Sequence, residues 1–280
     1  MRNFHVMTNA DKDQDLLVTK RIRDYLTKNG CRCGYEIVDR TPADKSLHLP
    51  EDTECVIVSG GDGTMIRVAD LVAGSVPIIG VNLGRLGFLE EIEVDRLEEM
   101  LKRLIADDFE IEERMMLTGT GSRLQEEKLH ALNDIVISGS GSMQILTLKI
   151  FVNDLLLATY SADGMIVCTP TGSTAYNLSA GGPIVEPDAK SILLTPICPH
   201  NLNSRSIVLS ADDEITIRVG ESRYEGEQHA EASFDGGRKV ELLPLDAITI
   251  RRSRISTSLI KLNRESFLKT LSAKFTGYMA

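Results

Sequence analysis

The chain has no apolar stretch longer than a strand, so no membrane-crossing helix is expected. Its first residues, MRNFHVMTNADKD, turn polar too soon for a secretory signal. Basic residues are in deficit: 31 Lys and Arg against 41 Asp and Glu give a formal net charge of −10. Sequence-independent nucleic-acid binding relies on a basic surface, and this balance argues against it. A local phosphate site made from a loop and a helix terminus needs no net positive charge and stays open. Cysteines are few and odd in number: Cys31, Cys33, Cys55, Cys168 and Cys198. There is no CxxC pair, and most lie in apolar runs, so they read as reduced thiols in a cytoplasm rather than a disulfide framework. Cys31, Cys33, Tyr35 and Ile37 alternate like one face of a strand, a reading preferred to a zinc site. Catalytic signatures are missing too. The absence of GxGxxG and GxxxxGK(S/T) removes the ordinary dinucleotide fingerprint and the P-loop NTPases. The absence of HExxH and GxSxG removes the simplest metalloprotease and hydrolase readings.

What is present is 280 residues of ordinary globular composition, 42% hydrophobic and 26% charged, enough for one large domain or two. The first third alternates between the two periodicities. Strands are predicted at 3–7, 31–38, 54–59 and 76–82, and helices at 12–29, from about 64, and at 93–106. Gly30 follows the first helix as a C′ glycine. This alternation predicts a mostly parallel sheet, with ligands at the carboxyl ends of its strands. After residue 110 the pattern changes. Strands are predicted at 109–118, 129–138, 143–152, 155–160 and 164–169, then near 192–195, 206–209, 214–219, 231–234, 238–243, 246–251 and 256–262. One helix interrupts them near 172–180. The expected architecture is an α/β N-terminal domain over 1–110 and a β-rich domain over 111–263. The amphipathic segment RESFLKTLSAKF, 264–276, is expected to be a helix that packs back on the first domain.

The chemistry concentrates in a few stretches. VIVSGGDGTMIR, 56–67, runs a buried strand through a glycine turn into a helix, the usual cradle for phosphate. Such loops often add a lysine; this one adds a carboxylate, Asp62. A carboxylate beside phosphates either holds a cation or takes a proton, and phosphoryl transfer to a hydroxyl needs both functions. The loop therefore reads as a kinase site of non-P-loop type. GVNLGRLGFL, 80–89, carries Asn82 and Arg85 among three glycines after another buried strand. LNDIVIS, 132–138, sets the polar pair Asn133-Asp134 before an apolar strand. SADGMIVCTPTGSTAYNLSAGGPIV, 161–185, leads from Asp163-Gly164 through hydroxyl-rich residues to a second donor-rich helix start. His200 reads as a structural histidine.

At these residues the sequence resembles the NAD kinase family. The resemblance runs through SGGDGTMIR, GVNLGRLGFL, LNDIVIS, SADGMIVCTPTGSTAYNLSAGGPIV and FDGG at 234–237, in the family's order and over nearly the whole chain. GGDGT is shared with diacylglycerol, sphingosine and phosphofructokinase-type kinases, whereas TPTGSTAYNLSAGGP is more specific to NAD kinases. The resemblance implies the NAD kinase/diacylglycerol kinase-like fold: an α/β domain, a β-sandwich-like domain and a site in the cleft between them. It implies transfer of the γ-phosphoryl of ATP to the 2′-hydroxyl of the adenosine ribose of NAD. Magnesium or a similar divalent ion is implied, held by the ATP phosphates rather than by assigned protein ligands. A cytoplasmic homo-oligomer, dimer or tetramer, is implied, with no nucleic-acid or membrane partner.

The resemblance also implies roles. Asp62 matches the proton acceptor, and Gly60, Gly61, Gly63 and Thr64 match the phosphate loop. Asn133 and Asp134 match the pair that holds NAD, and Asp163 a carboxylate near the nicotinamide. Thr174, Ala175, Tyr176, Asn177, Leu178 and Ser179 match the segment around the adenine, where Tyr176 supplies a ring. Arg67, Asn82 and Gln144 fall at polar ligand positions. Three departures stand out. The pair is Asn-Asp where the family commonly has Asn-Glu; Ser161 stands where many members have Arg; and Asp235-Gly236-Gly237 replaces Asp-Gly-Gln. Two alternatives are a related kinase for a lipid or sugar hydroxyl, which needs a long apolar groove, and a non-catalytic NAD sensor, against which Asp62 speaks.

Overall fold

A computed structural model describes residues 1–38, 49–84, 87–124, 129–140, 145–200, 204–221, 229–263 and 267–277. Arg85 and Gln144 lie outside the described residues. The chain divides into two compact units, Met1–Glu113 with Thr257–Ala280, and Arg114–Ser256.

The first unit is built on β1 (Asn3–Thr8), α1 (Leu17–Lys28), β2 (Arg32–Ile37), β3 (Cys55–Gly60), α2 (Asp62–Val72), β4 (Ile78–Asn82), β5 (Glu90–Glu93) and α3 (Leu97–Ile105). The strands pair in parallel in the order β2-β1-β3-β4, with β5 also parallel to β4. β3 reads CVIVSG and is buried at every residue, as expected of a strand covered on both faces. Ile22 and Leu26 of α1 and Leu97, Leu101 and Leu104 of α3 pack with Ile57, Ile79 and Val81 of the sheet. α1 starts five residues later than the sequence pattern predicts. The Asp13 carboxylate accepts the N–H groups of Val18 and Thr19, both at 2.9 Å, and caps the helix from outside. Its end is as predicted: Gly30 adopts φ +77° and Cys31 N–H donates back to Leu26.

β6 (Glu110–Gly121) leads into the second unit. There β7 (Leu129–Ala131), β8 (Asp134–Gly139), β9 (Leu146–Val152), β10 (Leu155–Ala162) and β11 (Gly164–Cys168) precede the single-turn α4 (Tyr176–Ser179). β12 (Ser191–Ile197), β13 (Ile207–Ser210), β14 (Ile215–Val219), β15 (Ala230–Phe234), β16 (Arg238–Leu242) and β17 (Ala247–Lys261) follow. One antiparallel sheet runs β13-β12-β11-β8-β15-β16; the other contains β10-β9-β14-β17. Alternate residues of both fill a single core. Ile135 and Ile137, Met165 and Val167, and Ala232 and Phe234 from the first meet Leu148, Ile150, Ile215, Ile217 and Ile248 from the second. β17 ends in the first unit, where Leu259 pairs with Ile78, and α5 (Phe267–Gly277) closes that unit.

The structure corrects four predicted elements. The strands expected at 246–251 and 256–262 are one, because RRSRIS contains no glycine or proline to break it. The strand expected at 129–138 is two, divided at Leu132-Asn133. β5 was not predicted, since EEIE shows little apolar alternation. The helix expected near 172–180 is a 3₁₀ turn at Thr171–Thr174 followed by the single turn α4.

Candidate active site

In the α/β unit, the carboxyl ends of β1, β3 and β4 converge. Gly61 takes extended geometry (φ −151°) as the N-cap of α2, which places Asp62 in the helix's first turn. Glycine is required at position 60, because a Cβ there would lie 2.5 Å from Thr64 Oγ1. Among the described residues nothing lies within 4 Å of the Cβ position of Gly63, so none of them covers the turn on that side. The anomaly of an anion in a phosphate loop is met by the backbone. Phe88 N–H donates to both Asp62 oxygens, at 3.0 and 3.1 Å, and Leu89 N–H to Oδ1 at 2.9 Å. These amides come from the GVNLGRLGFL stretch, so two separate motifs join around one carboxylate.

The lysine missing from GGDGT comes from elsewhere. The turn after β1 is tied to the loop: Asn9 N–H donates to the Ser59 carbonyl at 3.0 Å and Asn9 Nδ2 to Thr64 Oγ1 at 3.3 Å. That turn carries Lys12, whose Nζ lies 2.4 Å from the position a Gly61 Cβ would take. Neither Asn9 nor Lys12 was singled out from the sequence, because the pair precedes the motif by some fifty residues. Asn82 accepts Gly84 N–H at 2.8 Å and lines a cavity of about 160 Å³ with Gly87, Phe88 and Glu90. Arg67 is half-buried on α2. Glu90 was also missed. Burial, then the adjacent Asp62 charge, pushes its carboxyl well above the usual carboxylate range.

The β-rich unit has its own cavity, of about 410 Å³, lined by Asn133, Asp134, Ala175, Tyr176, Ser233 and Asp235 among others. The Asn133 carbonyl accepts Thr169 N–H at 2.8 Å, and the Thr169 hydroxyl donates to Leu132 at 2.6 Å. A Cβ on Gly172 would lie 2.2 Å from the Asn133 carbonyl oxygen, so only glycine lets the two stretches approach this closely. Asp235, at φ +50°, accepts the N–H groups of Leu132, Asn133 and Asp134 at 2.7–2.9 Å. The Asn133 Oδ1 is buried with no donor among the described residues, the kind of group a ligand completes. Asp134 is buried, and burial together with the Asp235 charge pushes its carboxyl up to about 7.

The hydroxyl-rich stretch divides into supports and exposed groups. It packs over the outer face of the β8-β11-β12 sheet, where Ala180 and Val185 cover Ile166, Cys168 and Leu193. Asn177 is fully buried, donating to Ser173 and Pro183 and accepting from Thr195 Oγ1 at 2.7 Å. Ser173 bonds both backbone groups of Val185, and Arg114 donates to Thr171. Tyr176, Leu178 and Ser179 face outward, and Thr174 is half-buried. The expectation of a donor-rich helix start is thus corrected: Thr169, Ser173, Thr174 and Asn177 bond nearby backbone groups, and the helix is a single turn. Asp163 is exposed at the β10–β11 turn, where its N–H donates to Ile197, and the Ser161 carbonyl accepts His200 N–H at 2.8 Å.

Comparison with known proteins agrees over both units. The family described as ATP-NAD kinase N-terminal domain matches residues 6–109, and that described as ATP-NAD kinase C-terminal domain matches 132–262. The NAD kinase of Agathobacter rectalis is 44% identical over 283 residues, covering 99% of this chain and 100% of its own. That of Lachnoclostridium phytofermentans is 42% identical over 284 residues, covering 98% and 99%. Among solved structures, an NAD kinase from Archaeoglobus fulgidus in complex with ATP superposes with a TM-score of 0.78 at 26% identity, covering 98% of both chains. With the anchored Asp62, the Asn133-Asp134 turn and these matches along its length, the chain belongs to the NAD kinase family.

Proposed function

We infer that the chain transfers the γ-phosphoryl group of ATP to the 2′-hydroxyl of the adenosine ribose of NAD, giving NADP and ADP. The observation that carries this is Asp62, fixed by two backbone amides beside the glycine turn at the carboxyl ends of a parallel sheet. Asp62 accepts the proton of the attacking hydroxyl. The amides hold its orientation and leave lone pairs on both oxygens, and Oδ2 carries only the longer Phe88 contact. The glycine turn and Lys12 receive the ATP phosphates. Asn133 Oδ1 and Asp134 hold NAD through its hydroxyl and amide groups, and the exposed Tyr176 ring stacks on it. Ser161, Asp163, Thr174, Ala175, Leu178 and Ser179 border the dinucleotide, and Asn177 supports them.

Among the described residues no group of three Asp, Glu, His or Cys side chains is placed to hold a metal ion. Magnesium enters with the ATP phosphates. Among the described residues no helix is long and apolar enough to cross a membrane. The five free cysteines, three of them buried, support a reducing cytoplasm as the compartment. β10 closes one sheet path with Leu155, Leu156 and Leu157 all exposed, which supports self-association into a dimer or tetramer. The test is incubation with ATP, Mg²⁺ and NAD. NADP is the expected product; phosphorylation of sphingosine or diacylglycerol instead, or NAD binding without turnover, would overturn the reading.

A further inference from the structure

Glu90 opens β5 directly after the two amides that grip Asp62. Both its carboxyl oxygens are buried, and no donor among the described residues reaches them. A Cβ on Gly87 would lie 1.7 Å from Glu90 Oε2 and 2.5 Å from Asp62 Oδ1, so the two carboxyl groups meet at the space this glycine leaves. At Gly61 the same construction falls 3.4 Å from Glu90 Oε1 and 2.4 Å from Lys12 Nζ. Two ionised carboxylates this close, one with no donor, repel strongly in a water-poor site. Asp62 has the backbone donors of Phe88 and Leu89; Glu90 has no donor from another described residue and keeps the proton.

We propose that Glu90 is a positioning residue that shares one proton with Asp62, donating its O–H to the Asp62 carboxylate and holding the pair at a single negative charge where the triphosphate binds. This deepens the reading of Asp62 as the base and rests on it. The nearest cation opposes the assignment and is outweighed: Lys12 favours an ionised Glu90, but burial and then the Asp62 charge act more strongly on the carboxyl. Lys12 is the adjacent cation, on the turn after β1. In the cavity beyond, Lys261 is bound to Glu91 at 2.8 Å and Arg96 to Glu99 at 3.0 Å, and Glu93 is exposed. When Glu90 ionises, a second negative charge faces the triphosphate and Asp62 loses its donor. ATP use therefore declines as pH rises above neutrality. Glutamine at position 90 retains a donor and cannot ionise.

The test is the pH profile of kcat/KM for ATP in wild type, Glu90→Gln and Glu90→Ala, with melting temperatures alongside. Glu90→Ala is expected to lower kcat by about tenfold or more. Glu90→Gln is expected to recover most of that loss and to lack the alkaline decline. An unchanged alkaline decline in Glu90→Gln, or equal losses in both variants, would overturn the proposal. A measurement without turnover covers the case in which these variants do not fold. Infrared spectra of the ligand-free protein should show a neutral carboxyl band that persists above neutral pH. In Asp62→Asn that band should titrate at lower pH, since the repelling charge is gone. No difference between wild type and Asp62→Asn would overturn the shared proton. A band that shifts in a fully active Asp62→Asn would instead overturn Asp62 as the base.

Discussion

At the scale of single residues, each unit sets an anchored carboxylate beside a buried acid. Asp235 accepts three backbone N–H groups, as Asp62 accepts those of Phe88 and Leu89, and Asp134 is the acid left to hold a proton. The linkage has a definite sign. An unfolded aspartate ionises near 3.9, roughly, whereas folded Asp134 does so at about 7. Between those values the folded chain retains a proton the unfolded chain has lost, so this group's contribution to stability declines as pH rises through that window. Asp134→Asn should therefore melt higher than wild type at about pH 8 and equally at about pH 4. At about pH 8, where Asp134 is mostly ionised, the same variant should bind NAD about ten- to a hundredfold more weakly, the loss of a charge-assisted hydrogen bond. Calorimetry with NAD alone reads this, and equal weakening toward ATP would make the turn merely structural. Tyr176 gives the contrasting case. Its side chain is 45% exposed, so Tyr176→Ala should leave the melting temperature nearly unchanged. Loss of a stacked ring should raise KM for NAD several-fold to about tenfold. An unchanged KM would remove the ring from the site.

At the scale of elements, the TPTG stretch acts as a clamp on the Asn133-Asp134 turn. Gly172→Ala drives a methyl group into the Asn133 carbonyl, a backbone atom that cannot rotate away. Overpacking of this kind costs about 1–3 kcal/mol, so the melting temperature should fall and NAD affinity with it. A variant of wild-type stability and affinity would show that the clamp has slack. Much of this was legible in the sequence. Buried strands bounded by glycine turns announced β3 and β4, and short strand-like segments separated by turn signals announced β9, β14 and β15. The losses have local causes. β5 is acidic, and Glu90 looked like one charge in an EEIE run until the fold set it against Asp62. The Asn9–Asp13 turn reaches the glycine loop only through parallel pairing of β1 with β3, a long-range contact that no local pattern encodes. The hydroxyls of 169–177 could not be sorted into supports and exposed groups by type, because which Ser or Thr bonds the backbone depends on the packing of 171–185 over the sheet.

At the scale of the molecule, the chain leaves its α/β unit within β6 and returns within β17, and chemistry-bearing residues are found in both units. The glycine turn, Asp62 and Lys12 belong to the first. The buried Asn133 Oδ1, Asp134 and the Tyr176 ring belong to the second. On the proposed roles, phosphoryl transfer and NAD recognition belong to different parts of the sequence, and the two should separate on substitution. The most direct measurement is kcat for Asp62→Asn, with NAD affinity determined on the same protein. The amide keeps the shape and loses the basicity. NADP formation should fall by about 10²–10⁴-fold, the usual contribution of a positioned base, while NAD binds as to wild type. A turnover near wild type would contradict the account at its centre, and so would a loss of activity explained wholly by lost NAD binding.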